Sequence, residues 1–255
     1  MTWNPERYLA FADQRTRPAI DLLARVPALE AERVADLGCG PGNSTRLLVE
    51  RWPEATVFGI DSSSDMLAKA RQSGIRATWT LADITTWAPD LAFDLIYSNA
   101  ALHWLGEHRT LLPRLLAQLR PGGVFAAQMP RNFAAPSHAL LRETARDGPW
   151  AERLADTLDR QPVAPPEWYY DLLAPHAAAL DIWETVYLHA LEGDDPVLDW
   201  TRGTALGPIM ARLEREEFAA FEAAYAARLR AAYPRRPDGR TLFPFRRLFI
   251  VAQRP

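Results

Sequence analysis

The sequence predicts an α/β fold: a doubly wound, seven-stranded, mostly parallel sheet with an antiparallel last strand and a helical cap insertion. Three observations carry that prediction. Short apolar runs alternate with helical stretches from Arg33 to Met129, a rhythm that right-handed crossovers turn into a parallel sheet covered on both faces. A glycine-rich turn, "GCGPG", directly follows the first of those runs. Beyond residue 180, "LDIWETVYLHAL" and "TLFPFRRLFIVAQR" read as two further strands flanking a long helical stretch.

Each element has a local reason. Asn4 followed by Pro5 is a helix start, cap then first-turn proline, and the apolar face continues to about Val26 with a break expected near Pro18. This N-terminal helical region, 1–27, is expected to fold as a lid. "RVADLG" is a buried strand and "NSTRLLVERW" a helix with Leu47, Leu48 and Val49 turned inward. "ATVFGID" and "SSDMLAKARQSG" repeat the pair, Gly74 supplying the C-terminal stop. "IRATWTLADI", "FDLIYSN" and "VFAAQM" complete five strands, with the helix "EHRTLLPRLLAQLR" before the last of them. Seven prolines then fall between Pro130 and Pro175, so 130–175 reads as a cap inserted after the fifth strand of a single domain, 1–255. From Asp195 to Tyr233, Phe218, Phe221, Tyr225 and Leu229 recur at helical spacing and belong to a core.

Composition narrows the function classes. Hydrophobic residues make up 48% and charged residues 24% of the 255, an ordinary globular balance. A formal net charge of −3 argues against a nucleic-acid partner. Lys69 is the only lysine, so the basic groups are almost all arginine, the better fork for carboxylates. Cys39 is the only cysteine; no intrachain disulfide is possible, and a reducing, cytoplasmic setting is expected. "MTWNPERYLAF" is too polar for a secretory signal, and no apolar run reaches the ~18 residues of a membrane span. No metal is expected, and the sequence does not specify an oligomeric state.

The glycine turn selects the ligand. Gly38, Gly40 and Gly42 stand in D-x-G-x-G-x-G, with Asp36 leading. A phosphate-binding P-loop needs a Lys-Ser/Thr pair after its glycines, which "GNST" lacks. A dinucleotide fingerprint, G-x-G-x-x-G, needs its third glycine one residue later. Asp36 would repel a pyrophosphate but suits a cation, and S-adenosylmethionine carries a sulfonium, an α-ammonium and no phosphate. Asp61, ending the second strand with Ser62 beside it, is placed to accept the ribose hydroxyls. Asp83 after the third strand is placed to accept the adenine amino group, with Ile84 against the ring. Asn99, ending the fourth, is placed at the amino-acid portion. Acids at the carboxyl ends of consecutive strands lie on the edge where open α/β sheets bind ligands.

With these motifs, the first 130 residues resemble the class I S-adenosylmethionine-dependent methyltransferases, a Rossmann-like family. More narrowly, "WNPERYLAF", "RTRPAIDLLARVP", "VADLGCGPGNST", "GIDSS", "QMP" followed by Asn132, "DIW" and "RLFIVA" make the whole chain similar to the trans-aconitate 2-methyltransferases. That resemblance implies methyl transfer to one carboxylate of a small tricarboxylate, giving a monomethyl ester. A carboxylate is already ionised at pH 7, so no general base is required. The pocket should instead be cationic. Arg15, Arg17, Gln128, Asn132 and Arg247 are the candidates to hold substrate, with His103, Tyr169 and Trp200 as walls. Arg246 and Arg247 alternate along the last strand, so only one can turn inward. Three alternatives stay open: a malonyl-carrier-protein methyltransferase, for which "RRPDGR" and "PFRR" offer basic surface; another small-molecule methyltransferase; and a cofactor-binding scaffold without turnover.

Overall fold

The structure, a computed structural model, describes residues 12–157 and 163–255, and the side chains from residue 16 onward within that first stretch. The Asn4–Pro5 helix start, Tyr8, Phe11 and the Arg15 side chain lie outside the described residues. Among the described residues, seven strands form one sheet in the order β3-β2-β1-β4-β5-β7-β6. Their ranges are β1 Arg33–Leu37, β2 Thr56–Asp61, β3 Thr78–Leu81, β4 Phe93–Asn99, β5 Leu119–Pro130, β6 Ala179–Leu191 and β7 Thr241–Gln253. The pairings β3-β2, β2-β1, β1-β4 and β4-β5 are parallel, whereas β7 runs antiparallel to β5.

The central strands β1 and β4 form where burial is nearly continuous, while β3 and β6 are mixed. Val34, Ala35, Asp36 and Leu37 are all buried, as a parallel strand with both faces covered requires. In chain order the helices α1 Ala12–Arg25, α2 Asn43–Arg51, α3 Ser64–Gln72 and α4 His108–Ala117 precede or interleave these strands. The break expected near Pro18 is absent: α1 runs through it. Proline there removes one backbone bond, which the burial of Ala19, Leu22 and Val26 outweighs. The Tyr97 hydroxyl of β4 also donates to the Ala19 carbonyl of α1 at 2.7 Å. Because β1 lies between β2 and β4, successive crossovers leave it in opposite directions. The crevice at that reversal, beyond the carboxyl ends of the strands, is where such sheets bind ligands.

The remaining helices are α5 Pro136–Asp147, α6 Ala151–Leu154, α7 Pro166–Leu173, α8 Pro196–Arg202, α9 Gly207–Met210 and α10 Arg215–Ala232. The chain divides into two compact units. The larger holds Asp13–Pro130, Pro162–Thr185 and Arg247–Pro255; the smaller takes in Arg131–Gln161 and Val186–Arg246. The stretch 130–175 is therefore not one piece: α7 clusters with the sheet, while α5 and α6 cluster with α8–α10. The physical reason is the core. Leu141, Ala145, Trp150 and Leu154 pack with Trp200, Phe221, Tyr225 and Leu229 in one apolar cluster, which helps hold α5 and α6 to partners more than 40 residues away in sequence. α10 opens with a reciprocal cap between Glu214 and Glu217.

Candidate functional site

The turn after β1 is built by hydrogen bonds that its sequence makes available. Asp36 is fully buried, and its Oδ2 accepts from Ser44 Oγ at 2.7 Å and Thr45 Oγ1 at 2.6 Å, the first-turn hydroxyls of α2. Its Oδ1 is buried and has no partner. Burial, opposed by those two hydroxyl bonds, pushes the Asp36 carboxyl up to about 6. Gly38 has φ +72°, and a Cβ there would lie 2.1 Å from the Ala101 Cβ, so glycine is required on both counts. Gly40 also takes a positive φ, +56°, yet nothing lies within 4 Å of where its Cβ would project. The backbone is bare toward open space there, as a closely approaching ligand needs. Gly42, with φ +98°, sits immediately before α2.

Asp61 binds the turn to β2. Its Oδ2 accepts from the Gly40 N–H at 2.9 Å and its Oδ1 from Ser63 N–H at 2.8 Å. A carboxylate offers about four lone-pair sites, so two hydroxyl donors can still be accepted. Ser62 beside it is exposed. Asp83 is exposed beyond β3 and accepts from Thr85 N–H at 2.8 Å; bonds from Thr85 hold its carboxyl below the usual value. Ile84 is buried, its Cδ1 3.8 Å from where a Gly38 Cβ would stand. Cys39, buried in the same turn, is no nucleophile: burial first, then the charges of Asp36 and Asp61, push its thiol far up, so it stays protonated.

A second polar group gathers at the carboxyl ends of β4 and β5 and on the part of β7 that pairs with the end of β5. Asn99 and Gln128 are register partners, and Asn99 Oδ1 is buried without a partner. Gln128 is fully buried; its Oε1 accepts from Arg247 Nη1 at 3.3 Å while its Nε2 has no partner. Arg247 is itself buried, at 4% exposure, whereas Arg246 is exposed, in line with the alternation of β7. His103 stands in a 3-10 turn after β4, with Nδ1 buried and without a partner. Burial, then the Arg247 cation and proximity to the His108 ring, pushes its imidazole down to about 3, so the ring is neutral at pH 7.

Several expected site residues have other work. Tyr169 is fully buried, with its hydroxyl 2.7 Å from His108 Nδ1 and accepting from Ala164 N–H at 3.2 Å. Trp200 is 2% exposed in the core of the smaller unit, its ring centroid 4.8 Å from that of His189, which leaves no face for a ligand. Asn132 extends the β5–β7 ladder instead of reaching outward: its Nδ2 donates to Arg246 O at 2.8 Å and its Oδ1 accepts from Arg246 N–H at 2.7 Å. Arg17 is exposed, with its Nε 3.8 Å from Asp21. The structure adds residues that the motif reading passed over. Ser44 and Thr45 anchor Asp36, and "GNST" does advertise hydroxyls at a helix start. Ala101 closes on Gly38, a contact between distant segments with no local signal. Among the described residues no group of His, Cys, Asp or Glu could hold a metal ion, and no helix is long and apolar enough to cross a membrane.

Comparison with known proteins agrees with this geometry. Residues 34–123 match the methyltransferase domain family. The chain is 55% identical, over 99% of both chains, to a trans-aconitate 2-methyltransferase of Azoarcus sp. (strain BH72). It is 52% identical to one of Variovorax paradoxus (strain S110), covering 100% of this chain and 99% of that one. In fold it is similar to phosphoethanolamine N-methyltransferase 2 of Haemonchus contortus in complex with S-adenosyl-L-methionine, with a TM-score of 0.56 at 15% identity, over 94% of this chain and 53% of that one.

Proposed function

The chain belongs to the family of the trans-aconitate 2-methyltransferases, and we propose that it transfers a methyl group from S-adenosylmethionine to one carboxylate of trans-aconitate, giving a monomethyl ester. One observation supports this reading above the others. The buried polar atoms without partners at the strand ends divide into acceptors, Asp36 Oδ1 and Asn99 Oδ1, and a donor, Gln128 Nε2, beside the Arg247 cation. The acceptors suit the ammonium group of an amino acid. The donors suit a carboxylate.

When bound, S-adenosylmethionine supplies an electrophilic methyl on a sulfonium. Asp36, the bare turn at Gly38 and Gly40, Asp61 with Ser62, Asp83 with Ile84, and Asn99 are the residues that would hold it. A substrate carboxylate is ionised at pH 7, so the protein need not remove a proton. The task that remains is to fix one carboxylate oxygen in line and keep water out. Gln128 and Arg247 provide a rigid donor pair, since each is buried and the two are already joined. Neutral His103 adds a polar edge without another charge. A single cysteine and a small, polyanionic substrate fit a cytoplasmic enzyme.

The test is a transfer assay with methyl-labelled S-adenosylmethionine on trans-aconitate, cis-aconitate, citrate, isocitrate and malonyl-carrier protein. Saturable, base-labile label on trans-aconitate in preference to the other acids is the expected result. Label on the carrier protein alone would replace the substrate while keeping the chemistry. Tight cofactor binding with no transfer to any acceptor would leave a scaffold without turnover.

A further inference from the structure

The loop after β3 carries Asp83 and Ile84 but contains no regular secondary structure between Leu81 and Phe93. Its local order is slight: Asp83 accepts from Thr85 N–H through Oδ1 at 2.8 Å, and its carbonyl accepts from Thr86 N–H at 3.1 Å. A long-range tie comes from α4. The Arg114 guanidinium donates through Nη2 to the carbonyls of Ile84 and Thr85, each at 2.8 Å, and through Nη1 to the carbonyl of Trp87. Trp87 in turn packs on Phe93, ring centroids 5.4 Å apart.

A planar fork with five donors can hold carbonyls at several angles at once; an ammonium is a point charge and cannot reproduce that arrangement. Three backbone carbonyls on one side chain fix the path of the main chain from Ile84 to Trp87. Since the Asp83 carboxylate is oriented by Thr85 N–H, clamping Thr85 also sets the direction of Asp83. Arg114 is half-buried on α4, a helix whose Leu111, Leu112, Leu115 and Leu116 are buried, so the clamp is mounted on a packed element.

We propose that Arg114 is the positioning residue for base recognition: it holds the Asp83–Ile84 segment in the shape that reads the 6-amino group of the purine. This rests on the assignment of Asp83 and Ile84 to the adenine end of the cofactor. Arg114 touches neither cofactor nor substrate in this scheme and acts through the loop.

The experiment compares dissociation constants for S-adenosylhomocysteine and S-inosylhomocysteine, in which a carbonyl replaces the 6-amino group. The proteins are the wild type, Asp83→Ala, Arg114→Ala and Arg114→Lys, each checked for folding by circular dichroism. Wild-type protein should prefer the adenosyl compound by about tenfold or more, the worth of a hydrogen bond to a charged acceptor. Both alanine variants should lose most of that preference, and Arg114→Lys should restore only part of it. General loosening of the fold lowers both affinities and leaves their ratio alone, so the ratio isolates positioning. If Arg114→Ala keeps the wild-type ratio while Asp83→Ala loses it, Arg114 is a structural tie and the proposal is overturned. If Asp83→Ala also keeps the ratio, the adenine assignment itself fails, and the proposal with it. Should Arg114→Ala not fold, a wild-type ratio in Arg114→Lys overturns the proposal by itself.

Discussion

In the smaller unit many buried polar groups are paired within the fold, Thr157 Oγ1 being an exception. Tyr225 donates its hydroxyl to Ser137 O at 2.9 Å, Ser137 N–H donates to the Tyr233 hydroxyl at 3.0 Å, and Trp150 Nε1 donates to Thr144 O at 2.7 Å. Arg202 meets Glu222 through two bonds of 2.6 and 2.7 Å. At the carboxyl ends of β1, β4 and β5 in the larger unit the rule is broken, at Asp36, Asn99, Gln128 and the nearby His103. An unmet buried polar atom costs about 1–3 kcal/mol, and native structures tolerate few of them. The contrast teaches where to look for chemistry: in the smaller unit an unmet atom such as Thr157 Oγ1 stands apart, whereas at the strand ends Asp36, Asn99 and Gln128 follow on consecutive strand termini.

The sharpest way to break this comparison is at Trp200. If it is core, as its burial against His189, Phe243 and Phe245 says, Trp200→Ala should cost about 3–5 kcal/mol of stability. The folded fraction should keep its Michaelis constants. Denaturant unfolding and steady-state kinetics check both. A stable variant with a raised constant for trans-aconitate would return Trp200 to the pocket.

The same contrast explains what the sequence made legible. The glycine turn could be read because a bare loop between a buried strand and a helix constrains residue type locally: positive φ at Gly38 and Gly40 is a short-range fact, whereas the Asp61 carboxylate meets the Gly40 N–H across 21 residues. The inward turn of Arg247 and the outward turn of Arg246 were legible from alternation along β7, and the place of Gln128 near the end of β5 from the order of elements. Tyr169, Trp200 and Asn132 are harder to read, because an aromatic or an amide gives the same signal in a core as in a pocket. Only long-range partners, such as His108 for Tyr169 or the Arg246 backbone for Asn132, separate the two. The division of 130–175 between two units was hidden for the same reason, since it depends on which distant helices offer apolar surface.

A smaller effect comes from Asp61→Ala. It removes the acceptor assigned to the ribose and releases the Gly40 and Ser63 N–H groups. Calorimetry should show cofactor affinity weakened by about 2–3 kcal/mol, between one and two orders of magnitude in Kd. An unchanged Kd would mean that Asp61 serves the turn and not the ligand.

The smallest and most diagnostic effect is at Asp36, where site and fold pull in opposite directions. Its folded pKa, about 6, lies above the ordinary 3.8, mainly through burial. The folded state therefore holds a proton that the unfolded chain has released between about pH 4 and 6, and this group's share of stability falls as pH rises through that window. Above it the penalty is constant. Asp36→Asn removes the charge while keeping an acceptor for Ser44 and Thr45, but it places an NH₂ where Oδ1 now has no partner. The balance should be a gain of about 1 kcal/mol at pH 7 that turns into a net loss of about 1 kcal/mol near pH 4, where the folded wild-type carboxyl is protonated and only the cost of the NH₂ remains, measured by urea unfolding at both values. Cofactor affinity should fall at the same time, because the buried acceptor facing the cationic end is gone. In wild-type protein near pH 6, cofactor binding should release part of a proton, seen as a dependence of calorimetric enthalpy on buffer ionisation. A variant that is less stable at pH 7 and binds as tightly as before would make Asp36 an anchor for the first turn of α2 alone. Its unpartnered oxygen would then no longer mark a binding site, and the contrast between the two units would lose its strongest example.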